Sequence, residues 1–406
     1  MQPTQALNFT HDGEVLAVSL ELANKSWKIG LDDGKRKVPL VKVVDHAQAA
    51  GRVGEVLAVI AAAKAKFGLA PGVPVVVVYE AGQDGFWIQR DLEALGMQVL
   101  VVDPASIPVE RKKRRAKTDR LDAILLVQTL RAWLRGERNR MRVVHVPAAA
   151  AEAQRHLVRD RGILQKEIGQ HRDRMRKLLR LVGCWESDRG DLKGRLERGE
   201  VQDRHGSALP AELRERLLRE CARLQLVEAQ LAGLEQTLPE QLPAVVQERL
   251  LQLMQMKAVG LVGAERLLLE LFWRNFNNRR EVGSCVGLAP QPYDSGESRV
   301  DQGISKAGNQ RVRALVIEMA WMWLRYQPQS ALAQWFNKRT SGTGSNKRSR
   351  RIAIVAVARR LVILLWRYLK DGVLPQDVML KPEKVTLKKA KTMLPMAMAV
   401  RPAACG

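Results

Sequence analysis

Val73-Pro74-Val75-Val76-Val77-Val78-Tyr79-Glu80 is the stretch that decides the fold of the first part of this chain. A continuous β-branched run has no polar face, so it predicts a strand buried on both sides in a sheet covered by helices. Working outward, 15–22, 27–31 and 38–44 read as strands before it, with a turn at Ala23-Asn24-Lys25. Residues 99–102 read as a short strand after it, closed by Asp103-Pro104. Helical patterns lie at 46–67 and 84–95, and a further helix is predicted from the N-cap Thr118 to about Arg135. Strands alternating with helices make residues 1–148 an α/β domain.

Beyond it the periodicity changes. Leu157, Leu164, Ile168, Met175, Leu178 and Val182 follow alternating three- and four-residue spacing once Arg161 and His171 are placed on the seam. Leu217, Leu224, Val227, Leu231, Leu234 and Leu238 do the same with Glu220. Two heptad-like helices joined by the Gly/Asp-rich segment 186–206 predict a coiled-coil helical hairpin over 149–245, able to pack on itself or on a second copy. Residues 246–372 read as a mostly α domain. It starts with Val259-Gly260-Leu261-Val262-Gly263, a turn of the helix-hairpin-helix kind whose backbone amides could approach a phosphate. The remainder, 373–406, is Lys-rich and then Met/Ala/Pro-rich, and reads as a disordered basic tail.

Composition narrows the partners. The 406 residues carry 67 Lys+Arg against 43 Asp+Glu, a net charge of +24. That excess favours a polyanion, because each neutralised phosphate releases counterions. Membrane surfaces are anionic too, so charge alone does not choose nucleic acid. No apolar run is long enough to span a bilayer, and the N-terminus does not read as a secretory leader. Cys184, Cys221, Cys285 and Cys405 show no CxxC spacing and read as reduced cytoplasmic thiols.

Acidic residues in this basic chain are therefore informative. Asp119 and Asp122 are three apart at a helix start and share one face. Glu80 ends the valine strand, and Glu21 lies inside the first strand, where an acid is costly unless paired or metal-bound. Strand, strand end and helix start can converge at one sheet edge. Four carboxylates there would repel, and Mg²⁺ (or Mn²⁺) would relieve the repulsion while drawing phosphate oxygens as further ligands. The plainer reading stands beside it: helix-start Asp favours the macrodipole without any function, and Glu21 could face solvent on an edge strand. The run Arg111-Lys112-Lys113-Arg114-Arg115-Ala116-Lys117 precedes Thr118-Asp119 and suits a phosphate backbone, or a merely solvated loop.

These residues carry a resemblance. The strand acid, Tyr-Glu-Ala-Gly (79–82), Val-Asp-Pro-Ala-Ser-Ile (102–107) and Lys-Thr-Asp-Arg-Leu-Asp-Ala (117–123) resemble the DEDD transposases of bacterial insertion sequences, relatives of the Piv DNA invertases. The second half agrees through Val-Gly-Leu-Ala-Pro (286–290), Asp-Ser-Gly-Glu (294–297), Gly-Ile-Ser-Lys-Ala-Gly-Asn (303–309) and Ala-Val-Ala-Arg-Arg-Leu (356–361). The similarity spans roughly 13–372, and its specificity lies in the order of the motifs. One position departs: the family's first acid is usually Asp, and here it is Glu21, which keeps the charge but adds a methylene. Asp12 is a poor substitute, since it falls in a His-Asp-Gly turn before the strand.

The resemblance implies a ribonuclease H-like (RuvC-like) fold for 1–148, with Glu21, Glu80, Asp119 and Asp122 as Mg²⁺ ligands. It also gives Ser295 a role. Read alone, Ser295 in Tyr293-Asp294-Ser295-Gly296-Glu297 is a turn serine. Family members use the matching serine as a nucleophile on DNA, forming a covalent phosphoserine link. Arg299, Lys306, Arg311 and Arg313 flank it and could stabilise phosphate charge, or be solvated helix charges. The implied protein is a site-specific recombinase that excises and inserts a mobile element. Its implied partners are donor and target double-stranded DNA, a structured noncoding bridge RNA, and further copies of itself assembling through dimers to a tetramer. Other readings are a RuvC-like nuclease that only hydrolyses branched DNA, a Piv-like invertase, and a non-catalytic nucleic-acid-binding relic.

Overall fold

The computed structural model describes residues 14–107, 118–185, 190–238, 241–295, 298–341, 346–375 and 377–382. Two units divide between Val146 and Pro147. In the first, five strands form one mixed sheet: β1 (Leu16–Glu21), β2 (Trp27–Asp32), β3 (Leu40–Val44), β4 (Val75–Glu80) and β5 (Gln98–Val102), in the order β3-β2-β1-β4-β5. β1 pairs antiparallel with β2 and parallel with β4, and β4 pairs parallel with β5. The valine run is β4, and Val76, Val77, Val78 and Tyr79 are all buried.

Both faces of the sheet are covered, which is why β4 shows no polar alternation. Leu16, Val18, Leu20, Val77 and Tyr79 belong to the core on one face. Residues of α1 (Ala49–Phe67) and α2 (Trp87–Ala94) complete that core. Ala17, Val76, Val78, Leu100 and Val102 point the other way, by the two-residue period of a strand, and meet α3 (Asp119–Leu134). Leu126, Val127, Leu130 and Trp133 form the buried stripe of α3, each worth about 1.5–3 kcal/mol of burial. Thr118 caps the helix, its hydroxyl oxygen accepting from the Leu121 N–H at 3.4 Å.

The second unit is largely helical. Its elements are α4 (Ala149–Leu181), α5 (Leu192–Glu197), α6 (Ala211–Thr237), α7 (Ala244–Met254), α8 (Leu261–Glu270), α9 (Arg279–Cys285), β6 (Pro290–Ser295), β7 (Ser298–Ile304), α10 (Gln310–Tyr326), α11 (Ala331–Thr340) and α12 (Lys347–Asp371). α4 and α6 form the hairpin, and the polar seam residues Arg161, His171 and Glu220 are buried in it. Each has a partner: His171 Nδ1 lies 2.6 Å from Glu220 Oε2, and Arg161 Nε donates to Glu235 Oε1 at 2.7 Å. The remaining helices share a core that includes Leu250, Leu267, Val316, Trp323, Val357 and Leu361.

Three segments differ from their sequence reading. Within 186–206, Asp191 accepts from the Gly194 N–H and starts α5, which buries Leu192 and Leu196 under the hairpin. The segment around Ser295, read as a turn, forms an antiparallel pair of strands, β6 with β7. Residues 377–382, read as disordered tail, are held: Lys381 Nζ donates to the carbonyls of Met254 and Val259 at 2.7 and 2.6 Å. The first ends α7 and the second lies in the α7–α8 connection, and a lysine satisfying both was invisible to composition. No helix among the described residues is long and apolar enough to cross a membrane.

Candidate active site

The four acids reach one edge of the sheet from three elements. Leu20 of β1 pairs with Tyr79 of β4, so Glu21 and Glu80 follow as the next residues of two adjacent parallel strands. Glu21 continues the face of Ala17 and Ser19, and Glu80 that of Val76 and Val78. Both therefore belong to the α3 face of the sheet. Lys28 of β2 lies directly across from Glu21.

The direction of α3 brings its first turn to the same edge. Ser19 Oγ donates to the Ala123 carbonyl at 2.6 Å, deep in the unit. Further along, Arg131 donates to the carbonyls of Val15 (3.1 Å from Nη2) and Asp32. The helix thus runs antiparallel to β1. Asp119 lies one turn, about 5–6 Å, before Ala123. Glu21 lies two residues, about 6–7 Å, beyond Ser19 in the same direction. Asp119 and Asp122 lie on the stripe that Ala123 and Leu126 bury, at the positive end of the helix dipole. Burial lowers the pKa of Arg131, against the opposing pull of Asp32.

Gly30 makes this approach possible. It pairs with Ser19 across β1–β2, and a Cβ there would stand 2.5 Å from Ser19 Oγ and 2.7 Å from the Ala123 oxygen. Sequence reading missed Ser19, Gly30 and Ala123. The available signal was a glycine inside a strand, which often marks a close backbone approach.

The donor set is oxygen only, which suits a hard divalent cation such as Mg²⁺ or Mn²⁺. The backbone converges, but among the described residues no three Asp, Glu, His or Cys side chains are grouped closely enough to hold an ion. The basic run from Arg111 to Lys117 lies outside the described residues.

In the second unit, Ser295 ends β6 opposite Ser298 of β7, and its side chain lies outside what the structure describes, as does that of Arg299. The base of this hairpin is a backbone clasp between the 286–290 and 303–309 motifs. Ser305, Lys306 and Asn309 N–H groups donate to the carbonyls of Ala289, Gly287 and Cys285 at 2.9, 3.1 and 2.9 Å. Gly308, at φ 111°, leaves no room for a side chain: a Cβ would lie 2.3 Å from the Cys285 oxygen. Arg313 Nη1 donates to the Lys306 carbonyl at 2.9 Å, so this residue ties the clasp together. Lys306 and Arg311 are exposed beside it.

Asn309 anchors the clasp to the helices. Its side-chain oxygen caps α10, accepting from Arg311 and Val312, while its amide donates to Glu270 Oε2 at 3.2 Å. Arg159 of α4 grips Glu270 through bonds of 2.8 and 3.3 Å. Burial pushes the Glu270 carboxyl up, but Arg159, Asn309 and Arg311 together outweigh it and hold the group below the usual carboxylate range.

Comparison with known proteins matches this arrangement to transposases. Residues 251–334 match the Transposase IS116/IS110/IS902 family, and residues 29–183 match the DEDD transposase model of the IS110 type, described as "Transposase". A Sinorhizobium fredii protein named "Putative transposase y4rJ" is 38% identical over 379 residues, covering 90% of this chain and 94% of its own length. The chain belongs to this transposase family. A "Probable family 20 transposase" of Pseudomonas aeruginosa is 26% identical over 302 residues, 73% of this chain and 84% of its own. The "Transposase for insertion sequence element IS1533" of Leptospira borgpetersenii is 34% identical over 101 residues, 25% of this chain and 28% of its own. As an IS110-type transposase, the protein is a DNA-cleaving and rejoining enzyme of a family whose DEDD domain uses a divalent metal. The family matches span Glu80, Asp119, Asp122 and Ser295, while Glu21 lies before the first of them.

Proposed function

We propose that this transposase excises and inserts its element through a covalent serine intermediate, with the acidic edge as its metal site. The observation that carries the reading is the register of Glu21 with Glu80 at the strand ends, on the face where α3 begins with Asp119 and Asp122. Those four carboxylates would hold Mg²⁺ or Mn²⁺, which supplies charge stabilisation for a phosphate undergoing displacement. Glu21 in place of the family's usual Asp is a working variant, since its charge is retained on the same face.

The chemistry belongs to Ser295. Its hydroxyl gives its proton to a neighbouring base and its oxygen attacks phosphorus. The bond from phosphorus to a deoxyribose oxygen breaks, and that oxygen takes up a proton. In rejoining, a deoxyribose hydroxyl attacks the phosphoserine, a new phosphodiester forms, and the serine hydroxyl is restored. The phosphoester bond carries the energy, so no ATP is needed. Arg299, Lys306 and Arg311 would offset the phosphate charge, and the 111–117 run would hold the strand backbone. Arg313, engaged with the Lys306 carbonyl, would position Lys306 and not the phosphate. The resemblance supports a bridge RNA that pairs with donor and target DNA. It also supports a tetramer in which the acids of one subunit meet the serine of another.

The test is a denaturing gel. The protein is incubated with RNA from the flanks of its element, matching DNA and Mg²⁺, with Ser295→Ala and Asp119→Ala in parallel. A protein–DNA adduct that disappears in both variants is expected. Cleavage that persists in Ser295→Ala with no adduct would replace the recombinase reading with a hydrolytic nuclease.

A further inference from the structure

The charge of the second unit is unevenly spent. Between Glu318 and Asp371 lie 52 residues with 11 Lys and Arg and no Asp or Glu. On α4 and α6 many of the cations have partners, among them Arg172 with Glu228, Arg174 with Glu220 and Arg161 with Glu235. At the end of the α11–α12 pair they do not. Lys338 and Arg339 close α11, and Lys347, Arg348, Arg350 and Arg351 open α12. All six are exposed, and among the described residues none forms an ion pair.

The two helices bring these cations to one end. Arg360 lies over the Trp335 ring at 4.3 Å, so the middle of α12 packs on α11 and the chain turns back between them. Six unpaired cations repel one another, and those on α12 also face the positive end of their own helix dipole. Among the described residues no ion pair offsets either cost. A polyanion would offset both.

We propose that the basic end of the α11–α12 pair docks the sugar–phosphate backbone of duplex DNA. It rests on the reading that the protein acts on DNA. Charge complementarity selects a polyphosphate. None of the residues next to these cations in the chain (Asn337, Thr340, Asn346, Ser349 and Ile352) is aromatic, and the nearby Trp335 ring is covered by Arg360, which favours a duplex over a single strand that would present bases for stacking. Such contacts carry affinity and orientation but no sequence information.

Full-length protein and the combined variant Lys347→Gln, Arg348→Gln, Arg350→Gln, Arg351→Gln are titrated into a labelled DNA duplex of roughly three helical turns and unrelated sequence, with anisotropy as the readout. The salt concentration is stepped from about 50 to 200 mM. The slope of log K against log salt should shallow by about 3 to 4 in the variant, as four phosphate contacts are lost. A variant of equal charge loss on the hairpin helices (Lys166→Gln, Lys177→Gln, Arg214→Gln, Arg216→Gln) should keep the wild-type slope. An unchanged slope in the α12 variant, an equal fall in the control, or a loss confined to an RNA duplex of the same length would overturn the proposal. The anisotropy readout needs no strand cleavage, so a failed docking surface and a failed catalytic reading, the latter read from the adduct gel, give different results.

Discussion

The Ser19 hydroxyl donates to the carbonyl of Ala123 at 2.6 Å, joining a strand to a helix 104 residues away. This bond and the bare Gly30 beneath it set how far α3 sinks onto the sheet, and so where its acidic first turn stands relative to Glu21 and Glu80. The contact is a positioning device for the acids although none of its three residues is acidic.

Gly30→Ala is expected to force α3 off the sheet, since the added carbon meets both Ser19 Oγ and the Ala123 oxygen inside 3 Å. Overpacking of this kind costs about 1–3 kcal/mol. Urea denaturation should show the loss, and DNA cleavage should fall further than stability alone explains. Wild-type stability and cleavage in Gly30→Ala would mean that the approach of α3 does not set the acidic edge.

Asp119→Asn and Asp122→Asn should leave the apo fold nearly intact, each removing about 0.3–1 kcal/mol of favourable interaction with the helix dipole. Their effect should appear with Mg²⁺ or Mn²⁺. At a hundredfold excess over its dissociation constant a bound ion stabilises by about 2.7 kcal/mol. Thermal melts with and without the ion should show that gain in wild type and its absence in the double variant.

Gly308→Ala should open the clasp beneath the Ser295 hairpin, because its positive φ and the Cys285 oxygen leave no place for a methyl group. The expected cost is about 2–3 kcal/mol. Limited proteolysis should find the hairpin first, with β6–β7 cut well before α12.

Glu265 gives a signed pH dependence. Desolvation, partly offset by Arg161 and reinforced by Glu235, raises its pKa to about 7. In the unfolded chain the carboxyl ionises near its ordinary 4.5, so it releases its proton first as pH rises. The group's contribution to stability is therefore greatest below that value, declines between it and about 7, and levels off above. Glu265→Gln should remove that decline and stabilise the protein at pH 8 by about 1–3 kcal/mol. The difference between the two denaturation curves, followed with pH, isolates the effect. A variant less stable than wild type at pH 8 would reverse this account.

Glu270 should behave oppositely. Its folded pKa is held low, so its stabilisation is present above the unfolded value and lost as pH falls through the folded one. Glu270→Gln should cost about 1–3 kcal/mol at neutral pH, discounted for the partial exposure of Arg159. The cost should vanish in acid, where the wild-type carboxylate is itself protonated.

Local chemistry made much of this protein legible. The valine run declares a two-sided strand because burial on both faces leaves no position for a polar residue. Thr118 declares a helix start because its hydroxyl satisfies an amide that the helix leaves open. The seam residues Arg161, His171 and Glu220 kept a heptad phase that their polarity seemed to break, since each finds its partner across the hairpin. The β6–β7 pair was less legible. Its prolines and glycines suit a turn, and the pairing that makes it a hairpin is held at its base by residues beyond both strands.

The sequence by itself determined most of the elements and their order and marked four candidate acids, because helix and strand formation follow from side-chain pattern within a few residues. The tertiary structure alone decided that Glu21 and Glu80 share a register, that α3 lies antiparallel to β1, and that the carbonyls of Cys285 and Gly287 meet the amides of Asn309 and Lys306 across a clasp. Those outcomes depend on contacts between residues far apart in the chain, where the deciding quantity is whether two backbones can approach closely enough to bond, and no local pattern records that distance.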